Sequence, residues 1–250
     1  MRALTPDWPA LPRVRSAFTL RVGGVSESSY RELNLGAHVG DEPAAVMDNR
    51  QRVRRALSLP AEPLWLSQVH GTAVFDADAA PPDPDAAPPR ADAALTRQAG
   101  RVLSVLVADC LPVLIARCDG SAVAVAHAGW RGLAAGVLEN AVAALGSAAQ
   151  PLQAWLGPGI GPNHFEVGAE VRAAFCEPRP QDASAFVANA RGRWQCDLPA
   201  LARARLAALG IHRVYGAPRC TFARPELFYS HRRDGVTGRM AALLWLEDAP

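Results

Sequence analysis

The chain has 250 residues, of which 50% are hydrophobic and 20% are charged. These proportions are typical of a globular protein that can bury a sizeable core, and they exclude global disorder. With 26 basic and 24 acidic residues, the net charge is +2. No run of like charge predicts a nucleic-acid or membrane partner. The most apolar stretch, residues 102–116, is too short to span a bilayer.

Every basic residue other than histidine is arginine, because the chain contains no lysine. This excludes the mechanisms that need an amine, such as a Schiff base, a pyridoxal-phosphate anchor or a P-loop lysine. Any anionic substrate must therefore be held by arginine side chains, backbone N–H groups or a metal ion.

The five cysteines show no C-x-x-C pair and are too few and too irregular for a disulfide scaffold. The first residues contain no apolar segment typical of a secretory signal. We therefore expect a reduced, cytoplasmic protein.

The first half of the chain begins with a predicted strand that enters a glycine turn over residues 18–26. Residues 79–90 are rich in proline, which excludes a helix or a central strand and predicts a variable surface loop. Three apolar runs then predict buried strands, joined by a hairpin turn at Asp119-Gly120, over residues 102–108, 113–117 and 122–126.

The second half alternates helical and strand patterns. Helices are predicted over residues 133–145, followed by Gly146, and over residues 167–175 and 198–209, the last with Asp197 as N-cap. Strands are predicted over residues 153–156, 214–217, 227–230 and 240–246. Hairpins and crossovers together predict a mixed sheet covered by helices in one α/β or α+β domain spanning residues 1–250.

Three segments place His70, Cys110 and His127 at predicted strand ends. Neighbouring strands lie less than about 5 Å apart, so these side chains can share one rim of a sheet. Two imidazoles and a thiolate form the ligand set of a catalytic zinc site with a free fourth position. The same residue types also suit a cysteine nucleophile with a histidine base, or buried side chains without a chemical role.

Other polar positions are candidates with structural alternatives. Asp109 precedes the cysteine and could orient a ligand or form a turn. Arg131 opens a predicted helix, where a cation is unfavourable unless an anion lies nearby. The loop over residues 157–162, GPGIGP, could hold a phosphate or ribose by its N–H groups or form a tight turn.

The sequence resembles the YfiH-like family, labelled polyphenol oxidase or laccase-domain protein and also purine nucleoside phosphorylase. The resemblance rests on ADCLPV together with HAGWRG, and it extends in order through TLRVGGVS, LNLGAHVGD, NR, SQVHGTAV, ADAALT, LGPGIGP, FEVGAEV, RCTF and FYSHRRDGVTGR. These pieces cover nearly the whole chain.

The resemblance implies a single three-layer α/β/α domain with a mixed sheet, similar to cysteine hydrolases. It implies a metal, usually Zn²⁺ and alternatively Cu²⁺, at His70, Cys110 and His127. It also implies phosphorolysis of adenosine, inosine or methylthioadenosine to the base and ribose 1-phosphate, with adenosine deaminase activity. The substrates would be purine nucleosides and phosphate.

Within that function, Cys110, His127 and Asp109 are the catalytic candidates, with Asp109 as general acid/base. Arg21, Arg131 and Arg232 are candidates for phosphate, and Asn34 for ribose or base. A cysteine-type amide hydrolase that edits peptidoglycan precursors, a copper-dependent phenol oxidase and a metal-binding regulator remain alternatives. The sequence leaves open whether the chain is a monomer or a homodimer.

Overall fold

The computed structural model describes residues 1–79, 87–146, 151–216 and 219–248. Most of the predicted proline-rich loop at 79–90, namely residues 80–86, lies outside these ranges. So does the last residue of the strand predicted over 214–217.

Strands and helices mix along the whole described chain. The strands are β1 Ala3–Leu4, β2 Val14–Thr19, β3 Val74–Asp76, β4 Ala93–Thr96, β5 Val102–Val107, β6 Leu111–Arg117, β7 Val123–Ala128, β8 Leu152–Leu156, β9 Glu166–Val167, β10 Phe186–Ala188, β11 Trp194–Cys196, β12 Arg213–Tyr215 and β13 Met240–Leu246. The helices are α1 Pro43–Ala56, α2 Trp130–Ala135, α3 Val137–Leu145, α4 Ala169–Cys176, α5 Leu198–Ala208 and α6 His231–Asp234, with 3-10 turns at Ser28–Tyr30 and Pro180–Ala185.

The largest sheet has six strands in the order β12-β8-β6-β7-β4-β3. Its two edge pairs are parallel and its inner pairs antiparallel, so the predicted mixed sheet is confirmed. An antiparallel sheet of four strands has the order β1-β2-β13-β5, and a small third sheet has the order β10-β11-β9.

Side-chain alternation along β6 shows how the layers pack. Val113 and Ile115 belong to a core cluster shared with α3, α4 and α5. Leu114, between them, belongs to a second cluster shared with β5 and β13 of the four-stranded sheet. Successive residues of a strand face opposite sides of a sheet, so the six-stranded sheet has helices on one face and the other sheet on its second face.

A third core cluster lies on the outer face of the four-stranded sheet, where Val53 of α1 packs with Leu243 of β13. The α/β class is therefore confirmed, whereas the three-layer α/β/α arrangement is not. The apolar side chains on the second face of the mixed sheet are buried by β5 and β13 and not by helices. Among the described helices, none has both the length and the apolar composition needed to cross a bilayer.

Several predicted elements appear with bounds within two residues. They are β5, β6, β7, β8, β13 and α5. Asp197 caps α5 as predicted, since its side chain accepts a hydrogen bond from the N–H of Ala200 at 2.9 Å. The hairpin turn at Asp119-Gly120 joins β6 to its antiparallel partner β7.

Four elements differ from the prediction. The strand predicted within residues 18–26 lies earlier in the chain, as β2 over Val14–Thr19. The helix predicted over 133–145 is broken at Gly136, whose φ of +102° turns the chain between α2 and α3. Glu166 and Val167 pair with β11, so α4 begins only at Ala169. Residues 227–230 form no strand; the Tyr229 ring is buried and its hydroxyl donates to the carbonyls of residues 30 and 31.

Candidate metal centre

His70, Cys110 and His127 converge at one rim of the six-stranded sheet. One ligand atom from each of the three lies within 4.8 Å of the others. Cys110 Sγ is 3.9 Å from His70 Nε2. The structure therefore brings together the three residues that the sequence predicts as ligands.

The strand register explains this convergence. Pro112 of β6 lies opposite His127 of β7, which places Cys110 beside the end of β7. On the other side of β7, the N–H of His127 donates to the carbonyl of Asp92 at 2.7 Å, which extends the pairing with β4. Cys110 and His127 are thus held side by side by the backbone hydrogen bonds of one sheet.

Asp92 connects His127 to the loop that carries His70. Its carboxylate accepts from His127 Nδ1 at 2.8 Å and from the N–H groups of Val69, His70 and Gly71 at 3.1, 2.9 and 2.7 Å. The bond at Nδ1 leaves Nε2 of His127 free to face the rim. Burial raises the pKa of Asp92, but hydrogen bonds from His127 and Gly71 outweigh it and lower that pKa.

Cys110 and His127 favour a thiolate and an imidazolium. Burial raises the pKa of the Cys110 thiol, but the charges and hydrogen bonds of His127 and His70 outweigh it and lower the pKa to about 6. Burial lowers the pKa of His127, whereas Cys110 and Asp92 outweigh it and raise the pKa to about 9. A thiolate available at neutral pH is the form of cysteine that binds a metal.

The donor set fits a metal ion. Around a tetrahedral zinc ion, with bonds of about 2.0–2.3 Å, ligand atoms lie about 3.5 Å apart. The observed separations exceed that value only modestly, so small side-chain movements would close the site. The positive φ of His70, +60°, is stabilised by the three N–H bonds of its loop to Asp92.

Gly129 provides the space that the three ligands need. A Cβ at this position would lie 3.0 Å from Cys110 Sγ and 3.1 Å from Cδ2 of His70. Both contacts are tighter than ordinary van der Waals contacts, so any side chain here pushes the two ligands away from their present positions.

We expect Gly129→Ala to weaken zinc binding about tenfold, because ligand geometry controls affinity. Gly71→Ala is a matched control, since its Cβ would meet only ordinary contacts at 3.5 and 3.6 Å and its N–H bond to Asp92 would remain. Competition with a chromogenic chelator measures both affinities. Equal affinities in the two variants would contradict this role of Gly129.

Asp109 lies beside Cys110 but is occupied by hydrogen bonds. It is 8% exposed, and its two carboxylate oxygens each accept a bond at 2.6 Å, from Thr221 Oγ1 and from the N–H of Arg232. Its own carbonyl accepts from the N–H of Ile160 at 2.8 Å. Its φ is +93°, a strained value for a side chain other than glycine. These bonds favour a positioning role for Asp109, joining three segments next to the cysteine.

Substitution of Asp109 separates positioning from acid–base catalysis. In Asp109→Asn, the amide oxygen can accept from Arg232 and the amide nitrogen can donate to Thr221, so we expect activity within about tenfold of wild type. In Asp109→Ala both groups lose their acceptor, and we expect unfolding free energy to fall by about 2 kcal/mol. Urea melts and kcat/KM measure the two effects. A loss of activity in Asp109→Asn as large as in Asp109→Ala, with stability retained, would support the acid–base role.

The loop over residues 157–162 has its backbone donors committed. The N–H groups of Gly157, Gly159 and Ile160 donate to carbonyls, and that of Gly161 donates to Cys220 Sγ. The two prolines of the loop have no N–H. The loop therefore supports the neighbourhood of Asp109 and leaves no backbone donor for a phosphate.

The predicted substrate residues have different contacts. Asn34 is buried, and its amide is bonded to Gly36, Asp41 and the N–H of Arg239. Arg21 donates to the carbonyl of Pro225 and lies over the Tyr229 ring.

The other two predicted arginines are exposed. Arg131 lies over the ring of Trp130, and Arg232 donates from Nη1 to the carbonyl of Glu166. Of the four predicted substrate residues, only Arg232 is linked to the rim through a described hydrogen bond, which its backbone N–H donates to Asp109.

All five cysteines are free thiols, as the sequence predicts. Cys220 forms a second thiol–imidazole contact, with Sγ 3.5 Å from Nδ1 of His164. Its Sγ also accepts the Gly161 N–H at 3.2 Å, so this thiol anchors the 157–162 loop.

Comparisons with known proteins agree on one family. Residues 15–247 match the model of the family described as multi-copper polyphenol oxidoreductase laccase. A protein of Pseudomonas aeruginosa named purine nucleoside phosphorylase is 50% identical over 246 residues, covering 98% of each chain. The Escherichia coli purine nucleoside phosphorylase YfiH is 45% identical over 245 residues, covering 98% of this chain and 99% of the relative.

Solved structures show the same fold. The crystal structure of Neisseria meningitidis protein NMB0706 has a TM-score of 0.92 and 46% identity, covering 99% of this chain and 100% of the other. That of YlmD from Geobacillus stearothermophilus has a TM-score of 0.91 and 30% identity, covering 99% and 97%.

Proposed function

The chain belongs to the multi-copper polyphenol oxidoreductase laccase family, and on that premise we propose that it is a zinc-dependent purine nucleoside phosphorylase. The observation that carries the proposal is the convergence of His70, Cys110 and His127, two of which are oriented by the buried carboxylate of Asp92. Relatives named purine nucleoside phosphorylase, at up to 50% identity, support an enzyme with this activity.

His70, Cys110 and His127 would hold the metal. When bound, a zinc ion supplies a Lewis acid at an open coordination position. Asp92 fixes the tautomer of His127 and the position of the His70 loop, and Gly129 leaves the space for both. We favour zinc over copper because a blue-copper site adds a weak axial ligand, and multicopper oxidases need more histidines than the six present.

In the proposed reaction, an oxygen of phosphate bonds to C1′ of the ribose while the glycosidic C–N bond breaks. The electron pair of that bond leaves with the purine nitrogen, which takes a proton, so the products are the base and ribose 1-phosphate. Adenosine, inosine and methylthioadenosine are the proposed nucleosides. The phosphate needs cationic or N–H donors, and without lysine these must come from arginine, histidine or the backbone.

We also propose adenosine deaminase activity at the same site, in which water adds to the purine carbon that carries the amino group and ammonia leaves. The chain contains no P-C-x-x-C segment, so it lacks the combination of H-x-E and P-C-x-x-C that zinc nucleoside deaminases have. Both carboxylate oxygens of Asp109 are engaged, so it is a weak candidate for the general acid/base, and that role is unassigned.

The proposal is tested with zinc-loaded wild-type protein, inosine and phosphate. We expect hypoxanthine and ribose 1-phosphate in equal amounts, with no release when phosphate is omitted or zinc is removed by a chelator. A copper-loaded sample and a phenolic substrate test the alternative that the family description suggests. Hypoxanthine release at the same rate without phosphate would show hydrolysis instead and would overturn the proposal.

A second candidate is a cysteine-type amide hydrolase acting on a peptidoglycan precursor. It is favoured by the lowered pKa of Cys110 beside the raised pKa of His127, the arrangement that activates a cysteine nucleophile. This candidate expects a thioester at Cys110 and turnover that survives chelation. A metal-binding regulator would instead bind zinc without turnover. In all three cases we propose one domain over residues 1–250.

A further inference from the structure

We propose that Arg50, Arg239 and His38 form the subsite that holds the phosphate dianion next to the metal centre. This inference rests on the proposed function and names the residues that bind its second substrate. None of the three is among the substrate residues that the sequence predicts. His38 belongs to the segment of residues 34–38, and Arg50 and Arg239 are placed by contacts with that segment.

Arg50 is held by the first part of this segment. From helix α1, its Nε and Nη2 donate to the carbonyl of Leu35 at 3.1 and 2.9 Å. Its guanidinium lies over the Trp65 ring, 4.1 Å from the centroid. The side chain is half-buried and fixed in orientation, and the described contacts leave Nη1 for another partner. A fixed guanidinium loses little conformational entropy when it binds an oxyanion.

Arg239 is placed beside the metal ligands by the four-stranded sheet. It precedes Met240, which pairs with Val107 of β5, so it lies at the sheet end from which the chain continues to Asp109 and Cys110. Its N–H donates to Oδ1 of Asn34 at 2.8 Å. Its Nη1 donates to the carbonyls of residues 237 and 238 at 2.8 and 3.0 Å, and the described contacts leave Nε and Nη2 for a ligand.

A backbone contact brings these groups together, because the N–H of Leu35, whose carbonyl binds Arg50, donates to the carbonyl of Arg239 at 3.1 Å. Partial burial lowers the pKa of the His38 imidazole. The charges of Arg239, Arg50 and His127 lower it further. Burial lowers the pKa of Arg239, against the opposing effect of Cys110 and Asp109.

Among the described residues neither Arg50 nor Arg239 forms an ion pair, although the charges of Glu62 and Asp109 act on them from a longer distance. The ion pairs of the described chain engage other arginines, such as Arg97, Arg191 and Arg205. Half-buried guanidinium groups that form no ion pair are stabilised by a bound anion. This is what a phosphate site requires, and it lies next to the proposed reaction centre.

Phosphate fits this subsite better than it fits the backbone donors of the 157–162 loop. The backbone donors of the 157–162 loop are all engaged, so a phosphate at this rim must be held by side chains. Two arginines and an imidazole offer several donors to the tetrahedral oxygens of a dianion. The same chemistry would suit the 5′-phosphate of a nucleotide, so the experiment includes both sources.

The test uses Arg50→Gln and His38→Gln, with Arg54→Gln as the matched control. Arg54 lies one turn along α1, is exposed and changes the net charge equally. Isothermal titration of zinc-loaded protein with inorganic phosphate measures binding directly. We expect Arg50→Gln to weaken phosphate binding at least about tenfold, His38→Gln a few-fold, and Arg54→Gln less than twofold.

Kinetics and folding controls complete the test. The KM for phosphate should rise in parallel with the loss of binding, while the KM for inosine stays within twofold. Thermal melts show whether each variant folds. If Arg50→Gln does not fold, phosphate binding by His38→Gln decides the test, because His38 is exposed. Unchanged phosphate binding in folded variants overturns the proposal, as does a loss confined to inosine 5′-monophosphate. Phosphate binding without nucleoside turnover would leave this subsite intact and reject the proposed function.

Discussion

Replacing Cys110 with alanine is expected to weaken zinc binding more than about 100-fold. Substituting a partner that only orients a ligand typically costs 10–100-fold, so removal of a ligand must cost more. The remaining imidazoles of His70 and His127 would leave two positions to water. We expect phosphorolysis of inosine to fall with the loss of metal, and to recover only in part at high zinc concentration.

Cys110→Asp separates a ligand from a nucleophile, because alanine removes both functions. A carboxylate is a normal zinc ligand, with a bond of about 2.0–2.2 Å, and it cannot form a thioester. We therefore expect Cys110→Asp to bind zinc in a one-to-one ratio and to retain measurable phosphorolysis. Metal analysis and product formation are measured on the same samples, with Cys118→Asp as the control for an unspecific effect of a new carboxylate.

The contrary outcome is also informative. A Cys110→Asp variant that holds zinc but has no activity on any nucleoside would favour the amide hydrolase, as would a thioester trapped on the wild-type cysteine. Activity of wild-type protein that persists after complete removal of zinc would reject the ligand role altogether.

The strands around the site could be predicted because their sequences leave few alternatives. Residues of β5, β6 and β7 form continuous apolar runs, which is the pattern of strands buried on both faces. Cys110 and His127 lie where those runs end, so their proximity followed from strand spacing. The way in which the faces are covered could not be deduced, because apolar residues pack equally well against a helix or a second sheet.

Helix α1 and the break at Gly136 are two features that the sequence pattern does not predict. α1 begins with Pro43 at its first turn, a recognisable start, but its charged exposed face weakens the apolar periodicity. Gly136 lies inside a helical pattern, and only its left-handed backbone conformation shows that it turns the chain. Both cases depend on tertiary contacts rather than on propensity.

The residues that support the site are the least visible in the sequence. Asp92 precedes a short strand like many turn-forming aspartates, and nothing in its spacing relates it to His70 or His127. Arg50 and Arg239 are two of many arginines, distinguished only by their contacts with residues 34–38. Ligands can be inferred from residue type at strand ends, whereas the groups that orient them are selected by three-dimensional proximity.

Asp92 is the strongest case, because a single buried carboxylate controls two ligands. We expect Asp92→Asn to weaken zinc binding and to lower kcat/KM by about 100-fold, at the upper end of the effect of such partners. The carboxylate accepts four hydrogen bonds, whereas an asparagine amide presents a carbonyl oxygen on one side and an N–H donor on the other. The amide N–H would face the N–H groups of the His70 loop or Nδ1 of His127, so one ligand must move or change its tautomer.

Asp78→Asn is the matched control, since this carboxylate supports the opposite end of β4. It accepts from Thr96 Oγ1 at 2.5 Å and from the N–H of Arg97 at 2.7 Å, far along the strand from the metal centre. We expect it to lower stability modestly and to leave zinc affinity unchanged. If Asp92→Asn lowered stability as Asp78→Asn does but bound zinc like wild type, then the orientation of His127 and His70 would not depend on Asp92. Because the His70 loop is joined to the sheet through this carboxylate, the loss of affinity in Asp92→Asn should be accompanied by faster hydrogen exchange at the N–H groups of residues 69–71.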